Sequence, residues 1–186
     1  MSNHICDELQ AKRRLQDEFR AENEKWVQQY EPFFTHALTL TFNHTKVRRR
    51  MMEMDPTMCL SSPEMVEIYK DDLRAFKWQL VKSLYGNAWK RHSIPFVFIP
   101  VLEGLGKDQK PHYHCMVGLA RDRNDVFADR VCSIWNKMAF GGERIDIQPY
   151  ISSGWTRYST KNALFANREN IDWENVLVPQ PKSLAE

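Results

Sequence analysis

The chain carries little cysteine: four residues among 186, Cys6, Cys59, Cys115 and Cys132, with no Cys-x-x-Cys spacing. That excludes a disulfide-built scaffold and a zinc or redox site made of paired thiolates. No apolar run reaches membrane-spanning length and no signal-peptide pattern is present, so a cytoplasmic protein with reduced thiols and no membrane partner is expected. On that expectation Asn43-His-Thr45, which fits a glycosylation sequon, has no use as one. An excess of one charge is also missing. With 26 basic and 24 acidic residues the net charge is +2, which excludes a generic polycation, so charge must act through its distribution. A phosphate-binding loop is absent too: Gly104-Leu-Gly-Lys-Asp108 lacks the earlier glycine of that motif and the Ser or Thr after its lysine, and reads as a flexible turn. A chain of this length holds one sizeable core and leaves no room for a helicase domain.

What is present is 42% hydrophobic and 12% aromatic residues, patterned as an α+β fold. Residues 5 to 30 read as a long, mostly exposed helix, an appendage to the sheet-forming part of the chain. Leu38, Leu40 and Phe42 alternate with Thr39 and Thr41 as a half-buried strand. The segment from Lys46 to Leu60, rich in Met and containing Asp55-Pro56, reads as a loop. Ser62 and Pro63 open a helix running to about Leu84. Strands are expected at 95 to 103 and 111 to 119, joined by the glycine turn, and at 143 to 149. A helix capped by Asn124 should run from Asp125 to Met138 and end at Gly141-Gly142. Another should begin at Ser152 or Ser153, and the chain beyond Asn167 should be loosely packed. The sum is an antiparallel sheet of at least four strands, polar on one face, interrupted by helices.

The chemistry concentrates in His112-Tyr113-His114. On a strand this spacing puts both imidazoles on one face, and the apolar stripe Tyr113, Cys115, Val117, Leu119 supplies the packing from the other. Glu103, at the end of the preceding strand, can add a carboxylate and complete a three-ligand metal site with open positions. Tyr158 and Lys161 are three residues apart, so on a helix the ammonium sits beside the phenol and favours the phenolate. In isolation, two hydrogen-bonded histidines and a Tyr anchoring a helix with a solvated Lys fit these patterns as well.

Together the segments resemble the HUH endonucleases, in particular the replication-initiator branch with a single catalytic tyrosine. That family has a Thr-rich first strand, matched by Ala37-Leu-Thr-Leu-Thr-Phe42. It has a His-hydrophobe-His strand, matched by Pro111-His-Tyr-His-Cys-Met-Val117, with an acidic ligand on the strand before, matched by Glu103. Its Tyr-x-x-Lys helix is matched by Tyr158-Ser-Thr-Lys161, and the order agrees. The resemblance implies a modified RNA-recognition-like core of four to five strands over residues 35 to 166. A helical extension (1 to 34) precedes it and a tail (167 to 186) comes after. It implies Mg2+ or Mn2+ on Glu103, His112 and His114, polarising a scissile phosphate of single-stranded DNA. It implies attack by Tyr158, assisted by Lys161, to give a 5′-phosphotyrosine and a free 3′-hydroxyl. The second tyrosine of phage-type initiators is absent, since position 162 is Asn and position 154 is Gly, so one covalent link per chain is expected.

The implied role is nicking and joining at a rolling-circle origin of a plasmid or virus, with host helicase and polymerase as partners, in a bacterial, archaeal or virus-infected host cell. A mobilisation relaxase or single-strand transposase would share the chemistry. From another class, a non-catalytic single-strand-binding module would use Trp89, Tyr113 or Trp155 for stacking. Basic residues near the motif strands, Lys46, Arg48, Arg49, Arg50, Lys107 and Lys110, are the expected phosphate contacts, with Lys90-Arg-His92 a further basic run. Whether Asp146 or Gln148 reaches the metal is open at this level.

Overall fold

The structure is a computed structural model that describes residues 2–90, 94–106, 108–151, 154–155, 164–165 and 168–179. Helix α1 (Ser2–Gln28) leads to strand β1 (His36–Phe42), and α2 (His44–Met54) and α3 (Pro63–Tyr85) come next. Strands β2 (Val97–Glu103) and β3 (His112–Gly118) form a hairpin, and α4 (Asn124–Trp135) precedes β4 (Gly141–Pro149). These make one antiparallel sheet in the order β2-β3-β1-β4, with a separate two-residue pair at Leu164–Phe165 and Arg168–Glu169. The fold is α+β, as the alternation of patterns requires.

Strand alternation sets two faces. Leu38, Leu40, Phe42, Phe98, Leu102, Tyr113, Cys115 and Val117 join the apolar sides of α3 and α4 in the main core. The helix boundaries arise from local chemistry: Ser62 caps α3 by accepting from the Met65 N–H, with Pro63 next to it.

The opposite face is only half polar. Val97, Ile99, Val101 and Met116 lie there, and Val27, Phe34 and Ile171 cover them. The last turns of α1 are therefore docked on the sheet: Val27 is fully buried and Trp26 packs edge-on against Trp173 at 4.7 Å. Covering on both sides is why every residue of β2 is buried, a pattern that alternation within β2 could not reveal.

Of the segment expected to be loosely packed beyond Asn167, residues 170–177 are pinned instead, and residues 180–186 lie outside the described residues. The Leu102 N–H donates to the Asn170 carbonyl, the Asp172 N–H to Pro100, and Phe98 and Leu177 exchange bonds, so residues 170–177 run along the free edge of β2. Asp172 accepts from the Tyr113 hydroxyl at 2.9 Å and from Asn175 Nδ2 at 2.7 Å, while Lys77 of α3 donates to the Asn175 carbonyl. Burial pushes the Asp172 carboxyl up and the Lys77 ammonium down, to about 8. The sequence could not disclose this, because polar residues such as Asn170, Asp172 and Asn175 read as exposed until their partners are known.

Two local expectations are corrected. The segment from Lys46 to Met54 belongs to helix α2 and is not a loop, because Asn43 Oδ1 accepts from the Lys46 N–H at 3.1 Å and Arg and Met are good helix formers. Asn43→Ala should cost about 1 kcal/mol, the usual worth of such a cap, read as a lower denaturation midpoint. In α4, Asn124 is the first helical residue and does not act as the cap, and the helix ends at Trp135. Gly141 and Gly142 open β4, where a Cβ on Gly141 would stand 1.9 Å from the Trp135 carbonyl oxygen.

Candidate metal centre

The hairpin register brings the three predicted ligands together. Glu103 pairs with His112 across β2 and β3, and His114 stands between Val101 and Thr39 on its neighbours. All three point to the face that α1 covers, at the end beyond the apolar patch. His112 Nε2 and His114 Nε2 are 3.2 Å apart, with their rings perpendicular. Glu103 Oε2 lies 3.6 Å from His114 Nε2 and 3.9 Å from His112 Nε2. This is the group among the described residues that could hold a metal ion, and its carboxylate is buried.

The donor chemistry fits a cation. His112 Nδ1 is 2.8 Å from the Lys110 carbonyl, which can only accept, so Nδ1 carries the proton and Nε2 keeps its lone pair. His114 Nδ1 is 3.0 Å from the Thr39 hydroxyl, a partner that orients its ring. Nitrogen and oxygen ligands at ~2.0–2.2 Å from one ion stand roughly 3.0–3.6 Å apart, so the observed spacings need adjustment of only a few tenths of an ångström.

Gly104 makes the His112 contact possible. It has φ +79°, and a Cβ there would meet the Lys110 carbonyl oxygen at 2.0 Å and His112 Nδ1 at 3.0 Å. Gly104→Ala should displace the carbonyl, release the ring and lower divalent-ion affinity by roughly 10- to 100-fold, the usual effect of losing a ligand's orienting partner. Calorimetric titration with Mn2+ checks this, and circular dichroism reports whether the fold survives.

Tyr158 and Lys161 lie outside the described residues, as do Ser152 and Ser153, where their helix was expected to begin, and Lys107 of the glycine turn. Trp155 is described. Its ring meets the His114 ring edge-on at 5.6 Å, so the chain entering the Tyr-x-x-Lys segment passes beside a ligand histidine. Asp146 shares a row with Thr39 and His114 but stays outside the ligand group, and its Oδ1 accepts from Gln148 Nε2 at 2.7 Å.

The basic residues divide. Arg48 and Lys110 line a cleft beside the site, whereas Lys46 lends its charge to the buried Asp72 carboxyl and Arg50 pairs with Glu53 at 3.7 Å. Arg49 is exposed on α2. The sequence reading missed His44. Burial lowers its pKa, and the nearby charges of Lys110, Arg48 and His112 lower it further. Its signal was available in Asn43, whose cap places His44 at the start of α2 beside the sheet end.

No family model, curated protein or solved structure matches this chain.

Proposed function

We propose that the protein is a metal-dependent endonuclease and strand transferase for single-stranded DNA, with Tyr158 as nucleophile. The observation that carries this reading is the convergence of His112 Nε2, His114 Nε2 and Glu103 Oε2 at one end of the sheet. The edge contact of Trp155 with His114 supports it, because it brings the chain beside that histidine three residues before Tyr158. The Tyr158 oxygen forms a bond to phosphorus as the bond to the 3′-oxygen breaks. The phenol proton is lost, and the departing oxygen takes up a proton to become a 3′-hydroxyl. Lys161, one helical turn on, favours the phenolate before attack. The bond energy is kept in the phosphotyrosine, so a 3′-hydroxyl can reseal the strand without ATP.

A divalent cation on the three ligands would supply positive charge to the scissile phosphate. Two imidazoles favour Mn2+ over Mg2+, which prefers an all-oxygen shell. The best-fitting role is initiation of rolling-circle replication on a plasmid or virus; a relaxase or transposase would use the same residues.

The reading is tested by incubating the protein with a library of labelled single-stranded DNA and Mn2+. A denaturant-resistant protein–DNA adduct and a free 3′-hydroxyl are expected. Recovery of intact DNA and unmodified protein would return the molecule to the class of single-strand-binding modules.

A further inference from the structure

Helix α2 and the β2–β3 turn border two clefts beside the metal centre. His44 and Arg48, four residues apart, share one side of α2. Two clefts open there. One, of about 570 Å3, is lined by residues that include His44, Arg48, Cys59, Leu60, Ser61, Leu105 and Gln109. The other, of about 430 Å3, is lined by Thr41, Asn43, Pro111, His112 and Arg144. His44 and Lys110 line both, so they form a ridge between two lobes of one trough, and the second lobe ends at a ligand histidine. Each lobe has the size of a site that encloses a small ligand, ~300–1,000 Å3.

The ridge is cationic. Lys110 lines both lobes and Arg48 lines the first beside it. Elsewhere among the described residues Lys70 and Arg74 are held by Glu174 and Arg50 by Glu53. Asp108 and Glu143 also line the trough, one in each lobe, so the positive excess is centred on the ridge. The far lobe has a different character: Leu60 and Leu105 offer an apolar floor, with Ser61 and Gln109 as polar groups beside it.

We propose that the trough holds two successive nucleotides of the single strand on one side of the cut. The phosphate between them rests on the His44–Lys110 ridge with Arg48 beside it. The base farther from the metal packs on Leu60 and Leu105, where Ser61 and Gln109 read its edge. This rests on the endonuclease reading and adds to it a phosphate subsite and a specificity-determining base pocket. Phosphate contacts fix the register of a strand and base-edge contacts specify it, so the two sets of residues should fail in different ways.

The experiment measures binding of labelled single-stranded DNA with EDTA present, alongside adduct formation with Mn2+. Arg48→Ala and Lys110→Ala should each weaken binding and lower the slope of log affinity against log salt by roughly 0.7, one phosphate contact each on a single strand. The control, Lys82→Ala on α3 across the sheet, removes the same charge and should leave the slope as it was. Cys59→Trp fills the far lobe without changing charge. It should weaken binding about 10-fold or more for oligonucleotides long enough to enter the lobe, spare those cut short on that side, and leave Mn2+ affinity unchanged. If the parent forms the adduct while the Arg48 and Lys110 variants match the Lys82 control and Cys59→Trp binds normally, the trough assignment falls and the endonuclease reading stands. If the parent neither binds single strands nor forms an adduct, both fall.

Discussion

Tyr158→Phe should lose strand cleavage and the covalent adduct to the limit of detection while binding single-stranded DNA within about two-fold of the parent. Only the attacking oxygen is removed, so the loss belongs to the chemical step and not to ground-state binding. The other tyrosines are engaged elsewhere. The Tyr69 hydroxyl donates to the Leu60 carbonyl, Tyr113 to Asp172 and Tyr150 to Glu31, and the Tyr85 hydroxyl accepts from the Ala120 N–H. Tyr30 packs on Trp26. An adduct formed by the Phe variant would move the nucleophile to another residue, with Tyr150 the first to examine because it lies near Trp155 in the same apolar cluster. Lys161→Met should slow the parent reaction by roughly 100-fold, in the range of a lost proton-transfer aid. Raising the pH toward the phenol's ordinary value near ~10 should recover part of that loss, because solvent then supplies the phenolate that the ammonium had favoured.

The second large effect concerns the ligands. The parent should gain thermal stability on adding Mn2+, by about 2.7 kcal/mol at an ion concentration of 100 times Kd. The His112→Ala, His114→Ala double variant should gain none and should neither cleave nor form the adduct. The fold should persist, since both side chains lie outside the two apolar clusters. Glu103→Ala should keep a weaker ion response, because two of three ligands remain. Titration calorimetry decides it: unchanged Mn2+ affinity in the double His variant would remove this centre from consideration.

Much of the site was legible because its signals are short in range. The period of two along His112 to Gly118 separates ligands from core within seven residues, and the register put Glu103 opposite His112 as the strand order suggested. Ser62-Pro63 marked the start of α3 correctly because both act on the first helical turn. The same local logic failed at Asn43. A sequon and a helix cap look identical in Asn43-His-Thr45, and the Met-rich run after it has too few buried positions to show a helical stripe, with only Val47 buried in α2. Gly141-Gly142 likewise fits a helix end until the close approach of the Trp135 carbonyl is known.

By itself, then, the chain determined the types of most of its elements, α2 excepted, the face on which Glu103, His112 and His114 sit, and their membership of one set. Each comes from backbone periodicity and the chemistry of neighbouring residues. Only the tertiary structure decided that Val27 of α1 and Ile171 near the other end cover the metal-bearing face, and that Thr39 and the Lys110 carbonyl orient the two imidazoles. It alone brought His44 and Arg48 of α2 together with Lys110 at one trough. The reason is physical: these are contacts between residues far apart in sequence, whose side chains show no local period, and burial or charge acquires its meaning there only once the partner is in place.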